Sequence, residues 1–233
     1  MKDWIAFWDS PHSIYVNARH REAHYLKIAE DITRYVPVEG YVLDYGCGDA
    51  LHADMPAALA HRLILCEAAP GVRAKLLERF ADNPKILVIA PEQIDQLEDR
   101  SLDLIVMHSV AQYLTPEEFG DLLMLFRALL KPDGLLVLGD IIPKHVSALT
   151  DALSLLRFAR EEGFFFAALL GLLRTTFSRY RQLRSQLGLA RYDRDEMLNI
   201  LTRAGFWATT AERNIGHNQA RVTYLGRLSP RKD

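Results

Sequence analysis

Between residues 40 and 140, short apolar runs alternate with helical stretches, and this alternation limits the fold more than any other feature of the chain. The runs are YVLDY (41–45), RLILCE (62–67), KILVIA (85–90), LDLIVMH (102–108) and GLLVLGD (134–140). They are rich in Val, Ile and Leu and largely lack polar alternation, the pattern of strands buried on both faces of a parallel sheet. Helices between them would cover those faces, so the pattern predicts a doubly wound α/β sheet. Thr115, Pro116 and Glu118 form a capping box that opens a helix over 116–130, and Pro132 and Gly134 stop it. Asp193 and Glu196 repeat the box before a helix that ends at Gly205. Beyond it, FWATTAERNI and ARVTYLGRL read as antiparallel strands joined by a short turn at Gly216–Asn218. Residues 12–35 read as one helix before the first strand, and 144–190 as a helical insertion after the fifth. The chain is therefore read as a single domain over 1–233, with 1–38 as an N-terminal helical cover and 144–190 as a lid.

Composition narrows the function classes. With 28 basic and 30 acidic residues the net charge is −2, so no overall basic field draws the chain to nucleic acid. Two cysteines cannot make a disulfide framework, which points to a reducing, cytoplasmic setting. The longest strongly apolar uncharged run, Gly163 to Leu173, has 11 residues, whereas a membrane span needs about 20. The first ten residues hold Asp3 and Asp9 and no apolar core, so they do not read as a secretory signal.

The segment VLDYGCGDA (42–50) runs a buried strand into Gly46 and Gly48, where the backbone can turn sharply and a ligand can come close. A lone GxG after a strand is shared by several nucleotide folds. Two acids sharpen it. Asp44 ends the strand, where a carboxylate would repel a pyrophosphate but hold an ammonium group. Glu67 ends the next strand, 23 residues later, where a carboxylate accepts hydrogen bonds from ribose hydroxyls. Leu51 stands where the dinucleotide fingerprint needs its third glycine, which disfavours NAD. Either acid alone could be a surface group at a strand end; both, in register with two glycines, read as a grip on an amino-acid end and a ribose. S-adenosylmethionine has both. Cys47 and Cys66 read as small apolar packing rather than as reactive thiols.

These residues, with LDLIVMHSVAQYL (102–114), LLKPDGLLVLGD (129–140) and Ala204-Gly205-Phe206, resemble the class I S-adenosylmethionine-dependent methyltransferases, over about residues 40–228, in the manner of the type 11/12 small-molecule domains. The resemblance implies a Rossmann-like, seven-stranded sheet ordered 3-2-1-4-5-7-6 with strand 7 antiparallel. It implies that Asp44, Gly46, Cys47 and Gly48 hold the methionine end, and Glu67 and Ala68 the ribose. Ala90, Pro91 and Glu92 would lie beside the adenine, and His108 beside the cofactor at the end of strand 4. Ala50 departs from the family, which usually has a third glycine there, and Ala90 stands where an aspartate is frequent. MHSVAQYL also resembles methyltransferase domains of peptide and polyketide assembly lines.

Ligands of open α/β sheets bind outside the carboxyl ends of the strands, and that rule ranks the remaining polar residues. Removing a proton from a hydroxyl acceptor suits histidine. The candidate bases are His108, then His217 and Asp140; an amine acceptor would need only positioning by the same groups. Tyr15, Asn17, His20 and His24 of the N-terminal cover, with Gln112 and Asn218, are the candidate acceptor contacts. His20 and His24 share a helix face, but HREAH lacks the HExxH order, so no metal site is expected.

In the insertion, GFFFAALLGLL is followed by five arginines and no acid between Arg174 and Arg191. It reads as a lid over an apolar or anionic acceptor that touches a membrane surface, as a core-packed helix pair, or as a homodimer contact. The expected function is methyl transfer to a small-molecule or lipid-like acceptor at O or N; nucleic acid is disfavoured because HSVA replaces an NPPY-like motif. Its rivals are another chemistry in the same cofactor pocket and a non-catalytic cofactor-binding protein that senses or serves as a partner subunit.

Overall fold

A computed structural model describes residues 3–10, 15–175 and 189–229. Seven strands form one sheet: β1 (Tyr41–Tyr45), β2 (Arg62–Cys66), β3 (Ile86–Ile89), β4 (Leu102–His108), β5 (Leu130–Ile141), β6 (Phe206–Thr210) and β7 (Val222–Leu228). Their order is β3-β2-β1-β4-β5-β7-β6. The first five are parallel, and β7 runs antiparallel to both neighbours. This is the topology and strand direction expected from the sequence.

Successive strand residues serve opposite faces, and both faces are buried. Leu43, Ile105, Met107, Leu136 and Leu138 join one core with α5 (Pro116–Leu129) and α8 (Arg194–Arg203). Val42, Leu63, Leu65, Val106 and Val137 join the other, under α2 (Ala18–Thr33), α3 (Asp54–Leu59) and α4 (Pro70–Arg79). That two-sided burial explains the unbroken apolar runs. In α5 the Thr115 hydroxyl accepts the Glu118 N–H (3.2 Å), and the Glu118 carboxylate accepts the Thr115 N–H (2.9 Å). Phe119 and Phe126 are sealed from solvent, each a burial of about 1.5–3 kcal/mol.

Three local expectations are corrected. The helix expected over 12–35 begins at Ala18, because Asn17 caps it, and a separate short helix, α1 (Asp3–Asp9), precedes it. Pro132 and Gly134 lie inside β5, which starts directly at Leu130, with an irregular register against β4 around Leu102 to Leu104. The connection between β6 and β7 spans 211–221 and is no tight turn: Asn214, Asn218 and Thr223 are buried and bond its backbone back on itself. The insertion holds two helices, α6 (Ala148–Glu161) and α7 (Phe165–Thr175); residues 176–188 of that expectation lie outside the described residues.

Candidate active site

The carboxyl ends of β1, β2, β4 and β5 open onto a cavity of about 660 Å³. At one end lies the loop after β1. Gly46 (φ +75°) and Gly48 (φ +60°) take left-handed backbone that favours glycine. A Cβ at Gly46 would stand 2.4 Å from Val110, and one at Gly48 2.8 Å from the Tyr25 hydroxyl. Ala50 is also left-handed (φ +40°) and buried, so the position where related sequences prefer glycine carries strain here. Ser109 (φ +57°) and Asp140 (φ +64°), at the ends of β4 and β5, repeat that strain around the same cavity.

Glu67 ties the loop together. One carboxylate oxygen accepts the Gly48 N–H (2.9 Å) and the other the Ala69 N–H (2.8 Å). Each oxygen keeps a lone pair for a ligand hydroxyl. Asp44 lines the cavity and accepts no hydrogen bond from the described residues. Burial, then the nearby Glu67 charge, push its carboxyl up to about 7. A ligand cation beside Asp44 would relieve that cost. Gln112 Oε1 is likewise buried at the cavity wall with no donor. The thiols of Cys47 and Cys66 are raised by burial and stay inert.

The other end is built from three separate segments. Tyr15, His20, His24 and Tyr25 come from the α2 region, Asp151 and Leu155 from α6, and His217, Asn218 and Arg221 from the 211–221 loop. Ring centroids are 6.0 Å apart for His24 and His217, and 5.4 Å for Tyr15 and His24. His217 stacks on Phe158 of α6 (4.5 Å), and His20 on Phe164 just before α7 (4.9 Å). Burial lowers every one of these imidazoles: His20 and His217 to about 4, His24 well below the usual histidine range. They are therefore neutral at pH 7.

The candidate bases differ in their commitments. His108 Nε2 lies 3.3 Å from the Ile215 carbonyl, so that nitrogen carries the proton and donates it there. Asp140 accepts from Ser109 Oγ (2.5 Å) and from Arg221 Nη1 (2.6 Å). Although its burial opposes this, Arg221 and His108 hold its carboxyl below the usual range, which makes it a weak base. His24 and His217 make ring contacts but no hydrogen bond with the described residues.

Of the remaining sequence candidates, Cys47, Ala68, Pro91 and Asn218 line the cavity, while Ala90 and Glu92 do not. Asn17 does not either: its Oδ1 accepts the His20 N–H (2.8 Å) as the helix cap. Sequence reasoning missed Tyr25, Asp151 and Arg221, and also Trp4, which stacks on Tyr113 (5.8 Å) and lines the cavity from α1. No local motif marks them; Arg221 reaches Asp140 across 81 positions of sequence. Among the described residues, no group of three or more His, Cys, Asp or Glu is arranged to hold a metal ion.

A parallel sheet with a reversed last strand, a glycine loop and two acids at the ends of β1 and β2 define the class I methyltransferase architecture, whose cofactor is S-adenosylmethionine. Residues 43–138 match the family model described as a methyltransferase domain. No curated protein matches the chain in sequence. Among solved structures it is similar to DhpI in complex with SAH: 15% identity, 97% of this chain and 96% of that one, TM-score 0.62. It is similar also to Streptomyces venezuelae DesVI: 14% identity, 90% and 94% covered, TM-score 0.60. A third is a chain from the complex between the Haloferax volcanii Trm112 methyltransferase activator and a methyltransferase: 12% identity, 99% and 100% covered, TM-score 0.65. At these identities the likeness is one of fold.

Proposed function

We propose that the protein is an S-adenosylmethionine-dependent methyltransferase that methylates a hydroxyl of a small, uncharged or lipid-like acceptor. When bound, the cofactor supplies an electrophilic methyl group on a sulfonium centre. In this reading Asp44 holds its ammonium group, the Gly46–Gly48 backbone its methionine end, and Glu67 its two ribose hydroxyls. Trp4 and Tyr113 close over the cavity from the α1 side.

The observation that carries the choice of acceptor is the pair His24 and His217. Two neutral imidazoles without hydrogen-bond partners among the described residues line the same cavity as the acids of the glycine loop. One can donate an N–H to an acceptor oxygen while the other takes its proton. The bound cofactor would supply the methyl group that the acceptor oxygen receives, with its sulfonium sulfur as the leaving group. The proton leaves on the imidazole and passes to solvent. A cationic amine acceptor would find no free acid at this end, because Asp140 and Asp151 are paired with Arg221. His108 becomes a positioning residue that braces the 211–221 loop. A cytoplasmic location fits two cysteines without a disulfide. Among the described residues no helix is long and apolar enough to cross a membrane.

The test is calorimetry with S-adenosylmethionine on the wild type and Glu67→Ala, followed by transfer assays on matched hydroxyl and amine acceptors. The proposal expects uptake that Glu67→Ala abolishes and turnover confined to hydroxyls. Uptake with turnover of amines alone would overturn the acceptor; uptake with no turnover would make the protein a cofactor-binding subunit.

A further inference from the structure

The walls of the acceptor end share a chemistry that the supply of a base does not require. Five rings line it: Tyr15, His20, His24, Tyr25 and His217. They form a connected belt. Centroids are 5.4 Å apart for Tyr15 and His20, 6.0 Å for Tyr15 and Tyr25, and 5.4 Å for His24 and Tyr25. Two of the rings are backed in the same way. His217 lies flat on Phe158 with an interplanar angle of 14°, and His20 lies flat on Phe164 at 20°. Both phenylalanines are buried and stand outside the cavity lining, so each imidazole is held between a buried ring and the cavity. Tyr15 meets His24 at 51° and His20 at 81°, so ring faces and ring edges both border the space. Aromatic groups attract one another in offset-stacked and edge-to-face arrangements, beyond the area that they bury.

The belt carries no charge at pH 7. Burial holds its three imidazoles neutral and raises the Tyr15 and Tyr25 phenols. A cation would meet rings but no unpaired counter-charge, because Asp140 and Asp151 are bound to Arg221. An alkyl chain would bury equally well against leucine and gains nothing from flat, backed rings. We infer that the acceptor hydroxyl is phenolic: the ligand is an uncharged aromatic ring that packs within this belt and offers its hydroxyl to His24 and His217. The inference rests on the hydroxyl transfer proposed above and narrows its acceptor class. Acidity agrees with it. An imidazole as weakly basic as His217 draws a proton from a phenol, at about 10, far more readily than from an aliphatic hydroxyl, whose acidity is close to that of water at about 15.7. The transfer itself is unchanged: the phenolic oxygen receives the methyl group, the sulfonium sulfur is the leaving group, and the proton passes by way of the imidazole to solvent.

The experiment offers the full chain, with S-adenosylmethionine, three compounds of one carbon framework: 2-naphthol, decahydro-2-naphthol and 2-naphthylamine. The expected kcat/KM for 2-naphthol exceeds that for the saturated alcohol at least about tenfold, since ring packing and hydroxyl acidity both favour it. Phe158→Leu with Phe164→Leu keeps apolar bulk but removes the flat backing. It should raise KM for 2-naphthol about threefold to tenfold while the cofactor Kd changes by less than about twofold. Should that variant fail to fold by circular dichroism, His20→Leu, which takes one ring out of the belt, gives the same reading. Equal rates on the two alcohols, a preference for the saturated one, or a KM that the substitutions leave unchanged would overturn the inference and leave hydroxyl transfer standing. Turnover of the amine alone would overturn both. Where none of the three is turned over, saturation-transfer NMR of the same compounds on the protein with S-adenosylhomocysteine decides. Transfer to 2-naphthol that the leucine substitutions weaken upholds ring recognition; no transfer, or equal transfer to the saturated alcohol, overturns it.

Discussion

The two ends of the cavity are made in opposite ways. The cofactor end is compact in sequence: Asp44, Gly46 and Gly48 span one turn, and Glu67 joins them from the neighbouring parallel strand, paired residue for residue with the first. Backbone geometry does most of the holding there. The acceptor end is assembled from α2, α6 and the 211–221 loop, and its groups are held by aromatic stacking and one buried ion-pair network around Arg221. A sheet edge can keep a cofactor grip fixed while loops beyond it change, so the two ends should respond independently to substitution.

The largest test of that independence is at the acceptor end. Replacing His217 or His24 with Ala should lower kcat by about 10²–10⁴ while the cofactor Kd changes by less than about twofold. Burial lowers His217 to about 4 and His24 well below the usual histidine range, so a base here gives a kcat that stays level through the usual histidine range and, where His217 is the base, falls only as the pH approaches 4. A kcat falling near pH 6.5 would move the role to a solvent-like histidine. At the cofactor end, Glu67→Ala removes the two hydrogen bonds that brace the loop and, on the proposed reading, those to the ribose hydroxyls. The Kd for S-adenosylmethionine should rise at least about a hundredfold by calorimetry, since bonds to charged groups are each worth about 1.5–3 kcal/mol.

A third prediction separates the ends by pH. Asp44 sits near 7 in the free protein and must be ionised to hold an ammonium group. Its raised value means that the protonated form prevails below pH 7, so ligand binding there must expel a proton. Affinity should fall up to about tenfold per pH unit below 7 and level off above it. Calorimetry in buffers of different ionisation enthalpy would count the proton, and Asp44→Asn would flatten the profile at a weaker affinity.

The same contrast explains what could be read from the sequence. The sheet was legible because strands covered on both faces must be apolar throughout, as in LILC (63–66) and LIVM (104–107). Asp44, Glu67 and the glycines were legible because a tight turn at a strand end needs those residue types at short spacing. The acceptor end was not. His217 was named by its place at the strand edge, but its stack on Phe158 depends on how α6 docks, which no periodicity records. Asn17 was misplaced for a related reason: as a cap it is fixed by helix α2, not by the cavity. The long 211–221 connection read as a turn because Gly216 and Asn218 are turn residues, whereas their buried bonds to Asp31 and Asp151 come from tertiary structure.

The smallest effect sharpens the account of the glycine loop. Ala50→Gly should release left-handed strain of about 1–2 kcal/mol, partly offset by the flexibility glycine adds to the unfolded chain. A net gain of roughly 0.5–1 kcal/mol would raise Tm by about 2 °C in a thermal melt. A Tm that falls would show that the buried Ala50 methyl is worth more in packing than the backbone loses.

The stack of His217 on Phe158 has an evolutionary consequence. It makes a side chain of the inserted segment the platform for the proposed base, so on that reading the insertion and the chemistry cannot drift apart freely. Lineages that lengthen, shorten or replace that segment would change which molecule is modified, and only those that preserve a flat apolar partner for the imidazole would stay active. Selection for new products would therefore be written in α6 and the residues around it, while the stretch from Val42 to Glu67 stays nearly constant.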